Sequence, residues 1–81
     1  MRLDKFLKLS RLIKRRTQAK EATTLQLIYV NGNIKKASYT LKLEDEIKLV
    51  LGFKTVIVKV ISFNPKEEMF DLISEEKNEK I

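Results

Sequence analysis

Cysteine, histidine and tryptophan are absent from the chain, and its 81 residues include only two glycines and one proline. Each shortage closes off a chemistry. Without cysteine there is no disulfide framework and no thiolate zinc site, and without histidine the commonest general base and metal ligand are missing. Gly32 and Gly52 stand too far apart to form a phosphate-cradling glycine loop, which disfavours nucleotide hydrolysis. Long apolar runs are lacking too: no segment approaches the ~20 residues that span a bilayer. The opening Met1, Arg2, Leu3, Asp4, Lys5 is charged where a secretory leader would be apolar. The expectation is a cytosolic chain that is not an enzyme, with no cofactor, no metal and no membrane partner. What is there, 43% hydrophobic and 35% charged residues, suits one small soluble domain with a modest core.

Positive charge is concentrated at one end. Residues 1–20 carry Arg2, Lys5, Lys8, Arg11, Lys14, Arg15, Arg16 and Lys20 against Asp4 alone, a net +7, whereas residues 21–81 sum to −1. Clustered cations repel one another unless phosphates or counterions neutralise them, so this asymmetry points to a polyanion. The plainer reading is a solvated, solubilising face.

Periodicity gives the architecture. Leu3, Phe6, Leu7 and Ser10 recur at helical spacing, predicting a short amphipathic helix over 2–9 that turns Lys5 and Lys8 outward. Leu12 and Ile13 read as buried anchors. Thr17 reads as the N-cap of a second helix over 18–25, packed through Ala19, Ala22 and Thr23. The pattern then alternates. Residues 27–30 predict a strand, Asn31-Gly32 a tight hairpin turn into 33–37, and residues 46–51 and 55–63 a second antiparallel pair around Gly52. Residues 69–74 predict a last edge strand, and 75–80 are too polar for a core to order. The fold class expected is α+β: two short helices on a small, twisted antiparallel sheet of four to five strands. One domain is expected over 1–75, followed by a polar, disordered tail over 76–81.

The junction of the helices carries the strongest functional signal. Three cations, Lys14, Arg15 and Arg16, precede a helix end that is itself partly positive, a conflict that a bound phosphate would resolve. Lys35 or Lys36, past the hairpin, extends this surface; adjacent strand residues point to opposite faces. Asp4, alone among eight cations, reads as a structural acid paired with Lys8 or with an arginine. Phe6, Phe53, Phe63 and Phe70 read as core, and Tyr29 and Tyr39 as sheet aromatics rather than base-stacking platforms. Glu44-Asp45-Glu46 and Glu67-Glu68 read as turn chemistry.

The stretch from Arg2 to Leu7, then Ser10 to Thr17, Ala19-Lys20-Glu21, Val30-Asn31-Gly32 with Lys36 and Ser38, and Asp45-Glu46-Ile47 resembles the S4 RNA-binding domain family over about residues 1–52. A free-standing domain that opens this way looks like the RqcP-type proteins of bacterial ribosome-associated quality control, which are related to ribosome-binding S4 heat-shock proteins. The resemblance implies a non-enzymatic factor that binds obstructed large ribosomal subunits. Its partners would be large-subunit ribosomal RNA and peptidyl-tRNA, with RqcH as a functional partner in alanine tailing, and the chain itself is expected to be a monomer. Carried over by position, the implied RNA-binding residues are Arg2, Lys5, Arg11, Lys14, Arg15, Arg16, Thr17, Lys20, Asn31 and Lys36, chiefly Arg2 and Arg16. Two alternatives stand beside this: a ribosomal RNA assembly or heat-shock factor with no tailing role, and a basic module for an acidic protein or membrane surface. The chain departs from the family at Gln26-Leu27, where Gly and then a cation are usual, and at Leu43-Glu44, where Pro-Gly is common. Gln26 is therefore expected either to take a left-handed cap at a cost on the order of 1 kcal/mol or to leave the helix to end differently.

Overall fold

The computed structural model describes residues 1–78. Two helices, α1 (Leu3–Leu9) and α2 (Arg16–Thr24), precede five strands: β1 (Ile28–Val30), β2 (Asn33–Ile34), β3 (Glu46–Leu51), β4 (Lys54–Val60) and β5 (Phe70–Lys77). The strands form one antiparallel sheet in the order β2-β1-β3-β4-β5. The expected α+β class and the two-helices-on-a-sheet layout are both observed. Among the described residues, no helix is long and apolar enough to cross a membrane.

Helix α1 forms where the apolar stripe predicts it, burying Leu3, Phe6 and Leu7 completely. It has no side-chain cap. Its first N–H groups donate instead to the 37–39 segment, Leu3 N to the Tyr39 carbonyl at 2.8 Å and Asp4 N to the Ala37 carbonyl at 3.1 Å. A bridge between Arg2 and Thr40 continues this pairing and lays the segment after β2 along the start of α1.

Helix α2 begins two residues earlier than the sequence suggests. Arg15, in an extended conformation, is the flanking residue, so Thr17 sits inside the first turn and does not cap it. The first intrahelical bond is Ala19 N–H to the Arg15 carbonyl, 3.0 Å, which pulls Arg16 and Thr17 into the helix ahead of any hydroxyl cap. Ala19, Ala22 and Thr23 are buried as expected. The helix ends in a Schellman motif: Leu27 N–H reaches the Ala22 carbonyl and Gln26 N–H the Thr23 carbonyl, both at 3.0 Å. Gln26 occupies the left-handed position with φ 60°, as the missing glycine implied.

Asn31 (φ 51°) and Gly32 (φ 86°) both take the positive dihedrals that the tight hairpin needs. Strand β2 covers only Asn33–Ile34, shorter than the 33–37 expected, because Ala37 and Tyr39 turn their carbonyls to α1. Buried Asp45 fixes the loop before β3, accepting from Lys42 N–H at 2.9 Å and from the Asn31 amide at 3.0 Å. Within that loop Glu44 is also left-handed, φ 73°, at the place where Pro-Gly is common in the family.

One face of the sheet supplies Ile28, Val30, Ile47, Leu49, Val56, Val58 and Val60 to the core, against which the helices pack. Ile13 joins them, while Leu12 is only half-buried. The second strand of the β3–β4 pair is Lys54–Val60, so 61–63 leave the sheet. Two expectations fail at the far end. Phe53 is 66% exposed at the β3–β4 turn, held there because Gly52 takes a positive φ at a tip with no layer above it. The polar stretch from Glu75 is not all tail: β5 continues through Lys77 on backbone pairing with β4, which needs no apolar side chains. Asn78 closes it, its side chain bonding Thr55 Oγ1 and the Gly52 carbonyl. The remainder of the expected tail, 79–81, lies outside the described residues.

Two of the left-handed non-glycine positions, Gln26 and Glu44, give a direct stability test. Replacing Gln26 or Glu44 by Gly removes the Cβ clash, and each variant should gain on the order of 1 kcal/mol in urea or thermal unfolding.

Candidate nucleic-acid interface

The cationic surface is organised around Asp4, which has no exposed surface. Arg2 Nε donates to its Oδ1 at 3.1 Å, Arg16 Nε to its Oδ2 at 3.2 Å, and the Lys5 backbone N–H to Oδ1 at 2.8 Å. The acid thus pairs with two arginines and not with Lys8, settling the alternative that the sequence left open. Burial pushes the Asp4 pKa up, but hydrogen bonds from Arg16, Arg2 and the Lys5 N–H outweigh it and hold the carboxyl below its ordinary value. Both arginine side chains remain 45–47% exposed. One carboxylate cannot neutralise two guanidinium groups, so a net positive charge stays at the pair, with free N–H donors directed outward.

The elements bring further cations beside them. Lys20 lies one helical turn beyond Arg16, and the pairing of the 37–40 segment with α1 carries Lys36 to Arg2. Arg2, Lys20 and Lys36 line one cleft of about 360 Å³ together with Thr23, Thr24 and Ser38. Sequence reading overlooked these three hydroxyl residues. Thr23 and Thr24 donate to the Lys20 carbonyl at 2.7 and 2.9 Å and so shape the cleft wall. Lys8, Arg11 and Lys14 gather in a second cleft, around the end of α1. Lys5, Arg15 and Thr17 are exposed. Among the described residues, Lys5, Lys8, Arg11, Lys14, Arg15, Lys20 and Lys36 form no salt bridge.

Other residues have different uses. Lys35 is half-buried with its ammonium 4.8 Å from the centre of the Tyr39 ring, so Lys36 is the hairpin cation beside Arg2. Lys48 covers Tyr29 in the same way at 5.3 Å, which leaves one face of each tyrosine occupied. Both polar ends of the Asn31 amide are engaged internally, by Asp45 and by the Glu46 N–H, so Asn31 fixes the hairpin's position. Among the described residues, no group of three acidic side chains could hold a metal ion.

Residues 1–47 match the family model for the S4 domain. The chain belongs to the S4 domain family. Three curated proteins named "RQC P-site tRNA stabilizing factor" resemble this S4 protein along nearly its whole length. They are 49% identical in Bacillus subtilis (95% of this chain, 96% of the relative), 48% in Halalkalibacterium halodurans (100% and 96%) and 44% in Streptococcus pneumoniae (99% and 98%). Among solved structures, trimeric heat shock protein 15 of Vibrio cholerae superposes with a TM-score of 0.82 at 21% identity, over 91% of this chain and 82% of that one. That likeness shows a shared fold, which extends beyond the S4 segment into β4 and β5.

The Asp4 cluster has a signed pH dependence. Its folded pKa lies below the unfolded value of 3.8, so the unfolded chain binds the proton more readily. The stability it contributes is complete above that value and is lost as pH falls through it toward the lowered folded value. An Asp4→Asn variant should therefore show a shallower loss of stability with falling pH in this window, and at neutral pH should be less stable by about 2 kcal/mol. Urea unfolding at a series of pH values measures both.

Proposed function

We propose that this S4 protein is a non-enzymatic RNA-binding factor of ribosome-associated quality control. On this reading it acts at large ribosomal subunits that retain peptidyl-tRNA, gripping ribosomal RNA and the tRNA backbone while RqcH extends the stalled chain with alanine. The observation that carries the reading is the arginine pair on buried Asp4, of which Arg2 shares one cleft with Lys20 and Lys36. The full-length similarity to proteins named for stabilising a P-site tRNA supports it.

The grip is physical rather than chemical. Asp4 fixes two planar forks at defined positions before any ligand arrives, so little side-chain freedom is lost when phosphates bind. The lysines add mobile point charges around them. The α2 amino end, with no side-chain cap, leaves further N–H donors beside Arg15 and Arg16. Phosphate contacts of this kind position an RNA without reading its sequence, which suits a factor that recognises a particular assembly.

If about five phosphates are neutralised, log affinity for structured RNA should fall with log salt with a slope of roughly 4. The double variant Lys20→Ala, Lys36→Ala should fold normally, since neither side chain has a salt-bridge partner among the described residues. It should lower that slope by about 1.5. Unlike these, Arg16→Ala also strips a partner from buried Asp4, so its binding loss has to be read alongside its stability. Sedimentation with large subunits carrying peptidyl-tRNA tests the assembly itself; association only with assembly precursors would favour a biogenesis factor.

A further inference from the structure

Arg11 is in an unusual position. It follows Ser10, the C-cap of α1, with φ 66°, where the left-handed backbone favours glycine. Its N–H donates to the Lys8 carbonyl at 3.1 Å and so closes the helix, while its side chain is exposed and in no salt bridge among the described residues. Arg11 lines two neighbouring clefts, of about 690 and 510 Å³, that also share Leu9 and Pro65. The clefts therefore form one continuous groove between the end of α1 and the approach to β5.

The groove changes character along its length. One end is cationic, with Lys8 and Lys14 beside Arg11. The middle is apolar, with Leu9, Leu12 and Pro65 in the first cleft and Phe70 and Leu72 in the second. The far end carries Glu67 and Glu68, while neighbouring Asp71 stands opposite Lys59 on the other face of the sheet. Its rim is preorganised: Ser62 Oγ donates to Glu67 at 2.8 Å, Glu67 N–H to the Asn64 carbonyl at 2.9 Å, and Phe63 packs edge-on against buried Phe6.

We propose that this groove holds one unpaired nucleotide of the bound RNA: its phosphate at Lys8, Arg11 and Lys14, its base on the apolar floor, and the base's exocyclic amino group at the acidic rim. Charge complementarity supports this occupant over a plain stretch of backbone. A polyphosphate strand gains nothing from an apolar floor and is repelled by the two carboxylates, whereas adenine and cytosine present an amino donor that a carboxylate accepts. The inference rests on the RNA-binding reading and assigns that reading a base-sensing element built partly from residues after the S4 segment.

The test uses the full chain and fluorescently labelled hexaadenylate, hexacytidylate and hexauridylate at one salt concentration, with a structured RNA hairpin as the control. The expected result is at least fivefold tighter binding of the adenylate and cytidylate oligomers than of the uridylate. In the Glu67→Ala, Glu68→Ala variant the preference should disappear, while uridylate binding rises with the loss of two negative charges. Arg11→Gly should weaken binding of all three oligomers and yet raise the thermal midpoint, opposite signs that no folding defect produces. Equal affinity for the three oligomers with normal hairpin binding overturns the groove proposal alone and leaves the groove to a polypeptide. A preference retained in the acid-rim variant also overturns it. Failure to bind any of these RNAs, the hairpin included, overturns the RNA-binding reading as well.

Discussion

A carboxylate with no exposed surface lies between two guanidinium groups, and much of this structure depends on that arrangement. Removing Asp4 from water would raise its pKa and favour the neutral acid; the donors of Arg2, Arg16 and the Lys5 backbone reverse the balance. The consequence is geometric as well as energetic. Arg2 precedes α1 and Arg16 opens α2, so their common carboxylate ties the starts of two helices together. The same residue that orients the cationic face also fixes how the helices pack, which couples interface geometry to folding.

A second constraint is the segment after the hairpin. Its carbonyls at Ala37 and Tyr39 take the place of a side-chain cap on α1, and this brings Lys36 to Arg2. Polar backbone bonding, not apolar packing, therefore assembles the edge of the cationic surface. Asp45 plays the matching part for the following loop, holding both the Lys42 N–H and the Asn31 side chain.

Much of this was legible in the sequence because periodicity reports burial. The stripe Leu3, Phe6, Leu7, the small face Ala19, Ala22, Thr23, the Asn31-Gly32 turn and the alternation of β3 all appear as expected. The failures have separate physical causes. Thr17 resembles a cap, but helix α2 starts from Arg15 because the backbone of Arg16 and Thr17 can already join the first turn. Phe53 resembles core, but a hairpin tip with no layer above it has nothing to bury against. Residues 75–77 resemble tail, but main-chain pairing extends a strand regardless of side-chain polarity. At the site, sequence identified the cations and the lone acid, but which of them meet is decided by the Asp4–Arg16 contact and by the approach of Lys36 to Arg2, positions that no local pattern connects.

The long β5 strand leaves one flank of the sheet open, with an outer row of main-chain groups that another strand could match. Two copies approaching side by side, antiparallel and fully aligned, would set Asp71 of each against Glu76 of the other. Like charges in that position repel, and the extra residue opposite Ile57 and Val58 twists the border out of line. The acidic flank therefore guards a small, strand-rich molecule against edge-to-edge pairing through β5.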